Sequence, residues 1–137
     1  MWREKQKVIE IILTVIKPNG NSNDIYGLIN QLVSFLLTDG AYDVRIAMAE
    51  NLPLLRKNLG DDWFNKDIIP VIKLLSDDED YKIRQTAIRT VISCELFNPA
   101  GFEILYKAAK DTVSNVRLVV AKYTPRNYQN ILSPLKN

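Results

Sequence analysis

Three aspartate–arginine pairs, each six residues apart, run through this chain: Asp39 with Arg45, Asp78 with Arg84, and Asp111 with Arg117. Carboxylates and guanidinium groups at a repeated spacing can neutralise one another through charge-assisted hydrogen bonds. Carboxylates left unpaired could instead hold a cation or exchange a proton, and the acid run Asp77 to Asp80 adds candidates for that chemistry. Catalysis finds little support. The chain has no histidine, so serine–histidine and cysteine–histidine nucleophile pairs are absent, as is every histidine-containing metal motif. Its five glycines are not grouped into a phosphate-cradling loop. Cys94, the one cysteine, falls in a helical pattern beside Ile92 and reads as a small buried hydrophobe. Carboxylates just ahead of a helix cap its free N–H groups and suit its dipole, so the acid run reads as capping rather than metal binding. No catalytic, cofactor-binding or metal-ligating residue is assigned, and the expectation is a protein that is not an enzyme.

The elements that carry these pairs are helical. Apolar residues recur at three- and four-residue steps in Val44, Ala47, Met48, Leu52 and Leu55, and again in Ile83, Ala87, Ile88, Val91 and Ile92. Turn and cap residues break the pattern at "KPNGNSND", "TDGAYD", "NLGDD", "SDDEDY" and "FNPAG". Helices are predicted over 3–16, 23–37, 42–58, 65–75, 81–96, 101–110 and 113–123, with a further turn around 128–132 and no strand. Trp63 and Phe64 are expected to staple a helix entry, and Trp2 to cover an exposed terminal face. Arg84 follows Arg45 by 39 residues and Arg117 follows Arg84 by 33, each interval holding two helices. In a two-helix repeat the aspartate closes the first helix and the arginine opens the second, so stacked copies align acids with guanidinium groups. Asp39, Arg45, Asp78, Arg84, Asp111 and Arg117 therefore read as a structural ladder. The residues at the turn tips, Tyr42, Tyr81, Val113 and Asn115, have less structural excuse and form a candidate contact ridge.

Composition narrows the partners. At 137 residues and 47% hydrophobic the chain can bury a core as one domain, 1–137. A net charge of +2 is far from the basic stripe expected of a protein held by phosphate contacts, so nucleic acid is not favoured. The apolar segment Val8 to Ile16 contains Glu10 and is too short to span a bilayer. A single cysteine fits a reducing compartment, the cytosol or nucleus.

Aspartate, then valine- or isoleucine-arginine, then small apolar residues, with Pro70 eight before Asp78, is the pattern of a HEAT repeat, and the resemblance covers residues 23–124. It implies an all-α superhelix, right-handed, of about three repeats (units about 23–60, 62–97 and 99–124) plus an extra N-terminal helix, 3–16. Departures are Gln31 and Glu103 at the proline position, Met48 at the alanine and Thr124 at the final leucine. The third unit is six residues short, a loss expected around Asn98 to Gly101 or the adjoining helix end. The phrases "AENLPLL", "IIP", "DYKIR" and "VSNVRLVVAK" resemble the later repeats of the protein phosphatase 2A scaffold (A) subunit. By that resemblance Tyr42, Tyr81, Val113 and Asn115, with Asp43 and Lys82 beside them, fall at positions that contact a phosphatase catalytic subunit. The alternatives are a HEAT adaptor for another protein or peptide, and a nucleic-acid-binding or glycosylase-like HEAT domain. The apolar start and the degenerate "YTPRNYQNILSPLKN" suggest a piece of a longer solenoid.

Overall fold

The computed structural model describes residues 2–15 and 23–132. Most of the break "KPNGNSND", Ile16, the last five residues and the side chain of Trp2 lie outside the described set. The described residues hold seven helices and no strand: α1 (Trp2–Val15), α2 (Asn23–Leu37), α3 (Tyr42–Leu59), a helical stretch α4 (61–76), α5 (Tyr81–Ser93), α6 (Pro99–Ala108) and α7 (Ser114–Tyr123), then a 3-10 turn (Arg126–Leu132). No described helix is long and apolar enough to cross a membrane. The chain divides into two compact units, Met1–Val71 and Ile72–Asn137, with the division inside α4.

In the first unit α1 and α2 both pack on α3. The residues responsible are the periodic apolar ones: Ile29, Val33, Leu36 and Leu37 of α2 are buried, as are Val44, Met48, Leu52 and Leu55 of α3, and Ile9 and Ile12 of α1. Side chains three and four apart share a helix face, which is why one stripe of each helix disappears into the core. Helix α3 stops at Gly60, whose φ of 98° is open to glycine and whose N–H bonds the Arg56 carbonyl. The next helix starts at once, so Trp63 and Phe64 stand three and four residues in, as core side chains in edge-to-face contact rather than as a staple. Residues Phe64–Ile68 form a π-helical turn, with the Ile69 N–H reaching the Phe64 carbonyl. This widened turn lies immediately before Pro70, which lacks an N–H and whose ring crowds the carbonyl four residues back.

In the second unit α5 packs on α6 and α7, α6 also meets α7, and the 3-10 turn lies on α6. The core is Ile83, Ala87, Ile88, Val91, Ile104, Leu105, Val116 and Val120, all buried. Helix α5 ends at Ser93, three residues short of the predicted end. The Leu96 N–H bonds the Val91 carbonyl and the Glu95 N–H the Ile92 carbonyl, with Glu95 in the left-handed region at φ 51°, the paired geometry of a Schellman stop. Cys94 is buried at that stop. Asn98 then caps α6 by accepting the Gly101 N–H at 3.0 Å. The 33-residue interval from Arg84 to Arg117 is shorter than the 39-residue one before it because its helices are shorter: α5 has 13 residues where α3 has 18, and α6 has 10. The tail read as degenerate is held by side chains. Tyr128 stacks on Phe97 at 4.4 Å, and the Gln129 amide donates to the Thr124 carbonyl at 2.9 Å, at the end of α7.

Candidate interaction surface: three equivalent turns

The three aspartates build the same local device. One carboxylate oxygen of each accepts the N–H two residues on: Asp39 from Ala41 at 2.8 Å, Asp78 from Asp80 at 2.8 Å, Asp111 from Val113 at 2.9 Å. The arginine six residues later then donates to the backbone carbonyl of that same aspartate, Arg45 to Asp39 at 2.8 Å, Arg84 to Asp78 at 2.9 Å and Arg117 to Asp111 at 2.6 Å. Each turn is thus closed from both ends, by an acid that organises its own loop and a guanidinium that reaches back from the first turn of the next helix. Aspartate is suited to this because its short side chain reaches its own backbone two residues on.

A second set of contacts joins a turn to an earlier helix of the same compact unit. In the first unit Lys5 of α1 donates to Asp39 at 2.6 Å. In the second unit Arg84 of α5 grips Asp111 with two parallel bonds, Nε at 2.8 Å and a terminal nitrogen at 3.0 Å. These cations fix the ionisation of the acids. The Lys5 hydrogen bond, with help from the Ala41 N–H, holds the Asp39 carboxyl below the usual carboxylate range. The Arg84 fork does the same to Asp111 against the opposing effect of burial, and Asp111 in turn raises the guanidinium of Arg84. Asp39 and Arg45 are buried, whereas Arg117 is exposed.

The tip residues sit where the helices begin. Tyr42 is the first residue of α3, exposed, with the Arg45 guanidinium 5.9 Å from its ring centre, and Asp43 follows, also exposed. Tyr81 is the first residue of α5 and half-buried; Lys82 beside it is exposed and gives its N–H to the Asp80 cap. Val113 is the residue before α7, in register with Ala41 and Asp80, so Ser114 and not Val113 is the counterpart of the two tyrosines. Asn115 is exposed, and its carbonyl accepts the Gln85 amide at 3.2 Å, which ties the start of α7 to α5. Tyr42 and Asp43 thus belong to the first unit, and Tyr81, Lys82, Val113 and Asn115 to the second.

Spacing gave no hint of three features. Lys5 takes the ladder role ahead of the first aspartate, although nothing in its surroundings marks it. Asn30 of α2 accepts from the Trp63 indole at 2.8 Å and donates to Asp67 at 3.0 Å, a polar bridge inside the first unit. In the second unit the turn 76–79, Arg84 and one side of α6 enclose an open groove of about 660 Å³, with Ile88 and Ile104 in its lining and a Lys107–Asp77 ion pair at its edge. That volume is within the range of sites that take small or extended ligands. Comparison with protein-family models and with curated proteins gives no match for this chain.

Proposed function

We propose that the chain is a non-enzymatic scaffold, a HEAT-type superhelical stack of about three repeats that docks the catalytic subunit of a serine/threonine protein phosphatase on its intra-repeat turns. One observation carries the reading: the same turn, an aspartate on its own loop and an arginine six residues on reaching back to it, is built three times at 39- and 33-residue intervals. A loop held from both ends presents its tip residues at little further entropic loss on binding, which is what a contact ridge requires. Tyr42 and Tyr81 supply aromatic area at those tips, a residue type that dominates interface energetics. The phrases shared with the phosphatase scaffold supply the identity of the partner.

A titration of the purified chain against a phosphatase catalytic subunit tests the proposal. Binding is expected, modest in affinity because three turns offer few anchors, and Tyr81→Ala should weaken it by more than about 1 kcal/mol with the helical circular dichroism unchanged. No binding by the wild type would remove the phosphatase reading. Equal binding by wild type and Tyr81→Ala would leave the partner and discard the ridge.

A further inference from the structure

Arg84 and Arg117 stand at the same place in successive turns and are not used alike. Arg84 divides its guanidinium: one terminal nitrogen closes its own turn on the Asp78 and Glu79 carbonyls, while Nε and the other terminal nitrogen grip Asp111 of the following turn. Arg117 closes its own turn in the same way, on the Asp111 carbonyl, and its remaining nitrogens have no acceptor among the described residues. The helix sides next to the two arginines differ in step. Residues 33 apart correspond, since α5 begins at Tyr81 and α7 at Ser114. Ile88 is fully buried and its counterpart Ala121 is exposed; Gln85 is half-buried and bonded to the Asn115 carbonyl, and its counterpart Leu118 is 62% exposed. The side that α5 has covered, α7 leaves open.

The second unit itself shows what fits such a side. On α5 the cover is an aspartate turn leading into a helix, with the aspartate seated in the arginine fork and the helix bonded to Gln85. Charge points the same way. Residues 112–137 include no acid, Arg117, Lys122 and Arg126 are all exposed, and none of the three pairs with an acid among the described residues. A surface of one sign favours a partner of the other. We infer that the open side of α7 binds an acidic turn-and-helix segment of another polypeptide, whose aspartate sits in the free edge of the Arg117 guanidinium as Asp111 sits in that of Arg84. A planar guanidinium with two adjacent N–H groups unused is matched to a carboxylate, which accepts both in parallel. A second copy of this chain is a poorer occupant. Its Asp39 and Asp111 are already held by Lys5 and Arg84, and its Asp78 lines the groove beside its own Arg84.

Heteronuclear NMR of the isotopically labelled full chain, titrated with a synthetic peptide of residues 76–90, tests this. That peptide is an acidic turn entering a helix, with Asp78 at the aspartate position. So short a helix is marginal in water and orders only as it docks, so binding is weak and calls for a method that reads weak complexes. Saturable shifts are expected in the amides of 114–122 and in the side-chain Nε–H of Arg117. A peptide with Asp78→Asn and a chain with Arg117→Lys should each bind about fivefold more weakly, since lysine keeps the charge but not the fork. Lys66→Ala, which removes an exposed cation of the first unit, should leave the titration unchanged, and helical circular dichroism confirms that both chain variants fold. No shift in α7 at the highest peptide concentration, or binding that Arg117→Lys leaves unaltered or Lys66→Ala weakens as much, overturns the inference. Shifts in α7 that grow with the concentration of the chain alone would make the occupant a second copy and overturn it as well. None of these readings involves a phosphatase, so failure here is separate from failure of the scaffold proposal.

Discussion

The turn at Asp39 and the turn at Asp111 are the same object within six residues and different objects beyond them. Each aspartate accepts from the N–H two residues on and lends its carbonyl to the arginine six on. Each also receives a cation from far along the chain, and there they part: Asp39 meets the point charge of Lys5, a side chain 39% exposed, while Asp111 meets the planar fork of Arg84, 17% exposed. A local device that a six-residue spacing encodes is repeated faithfully. The longer-range contact is set by whichever cation the preceding helix presents, and it varies. An ammonium on a flexible stem can keep its charge in water when its partner is lost; a guanidinium spread across two bonds and mostly covered cannot.

The largest expected effect breaks the second turn. Asp111→Ala leaves the Arg84 guanidinium beside Asp78 and Glu79 carbonyls that satisfy only part of it, and because Arg84 is half-buried at an open groove the loss of its charged partner should cost about 2 to 3 kcal/mol. Asp39→Ala, the matching change in the first turn, leaves Lys5 partly solvated and able to keep its charge in water, and should cost less, about 1 kcal/mol. Arg56→Ala removes an exposed pair with Asp61 and should fall near about 0.5 kcal/mol. Urea denaturation of the three variants measures the order. If Asp39→Ala proves as damaging as Asp111→Ala, the two turns are held alike and the contrast between point charge and fork is wrong.

How far the sequence revealed these turns follows from the same division. The spacing of Asp39, Asp78 and Asp111 from their arginines made the local half legible, because both partners lie on one short stretch of chain. The predicted helix over 23–37 coincides with α2, and 42–58 falls one residue short of α3, because Asn23, Asp43 and Gly60 mark ends by their own chemistry. What spacing could not supply was contact across the chain: Lys5 with Asp39, and Asn30 between Trp63 and Asp67, each fixed by which helix faces which. The end of α5 was misplaced for a local reason, since a Schellman stop was made with Glu95 where glycine usually signals one.

Acid sharpens the comparison. Asp39 and Asp111 both ionise below the usual range in the folded chain, while in the unfolded chain they return to about 3.9. The unfolded state therefore takes up their protons first as pH falls, so the stability these acids contribute is present above about pH 4 and is lost as pH drops through their folded values. Arg84, raised further from an already high value, stays charged throughout and adds no slope. Urea midpoints should be level from pH 8 to 5 and fall below about 4. Asp111→Asn, which keeps an oxygen for the Val113 N–H but no charge for Arg84, should start lower at neutral pH and fall less steeply. An acid limb as steep as that of the wild type would show that Asp111 is not one of the titrating groups.

The smallest effect concerns two helix ends that do the same job with different residues. Helix α3 stops at Gly60 and helix α5 at Glu95, both with positive φ, 98° and 51°. A side chain in the left-handed region crowds the neighbouring carbonyl, at a cost of roughly 1 to 2 kcal/mol, and glycine has no Cβ to crowd it. Glu95 is exposed, and its backbone already makes the hydrogen bond to Ile92 that the stop needs. Glu95→Gly should therefore raise stability, less than the strain it relieves because glycine also adds freedom to the unfolded chain, for a net gain of about 0.5 to 1 kcal/mol. Gly60→Ala, the reverse exchange at the other stop, should lower stability by about 1 kcal/mol or more; no atom stands within 4 Å of where the new Cβ would be, so the loss comes from backbone conformation alone. Thermal melts of the pair would read opposite signs, and a Glu95→Gly variant that melts below the wild type would mean that the glutamate side chain holds something the strain does not outweigh.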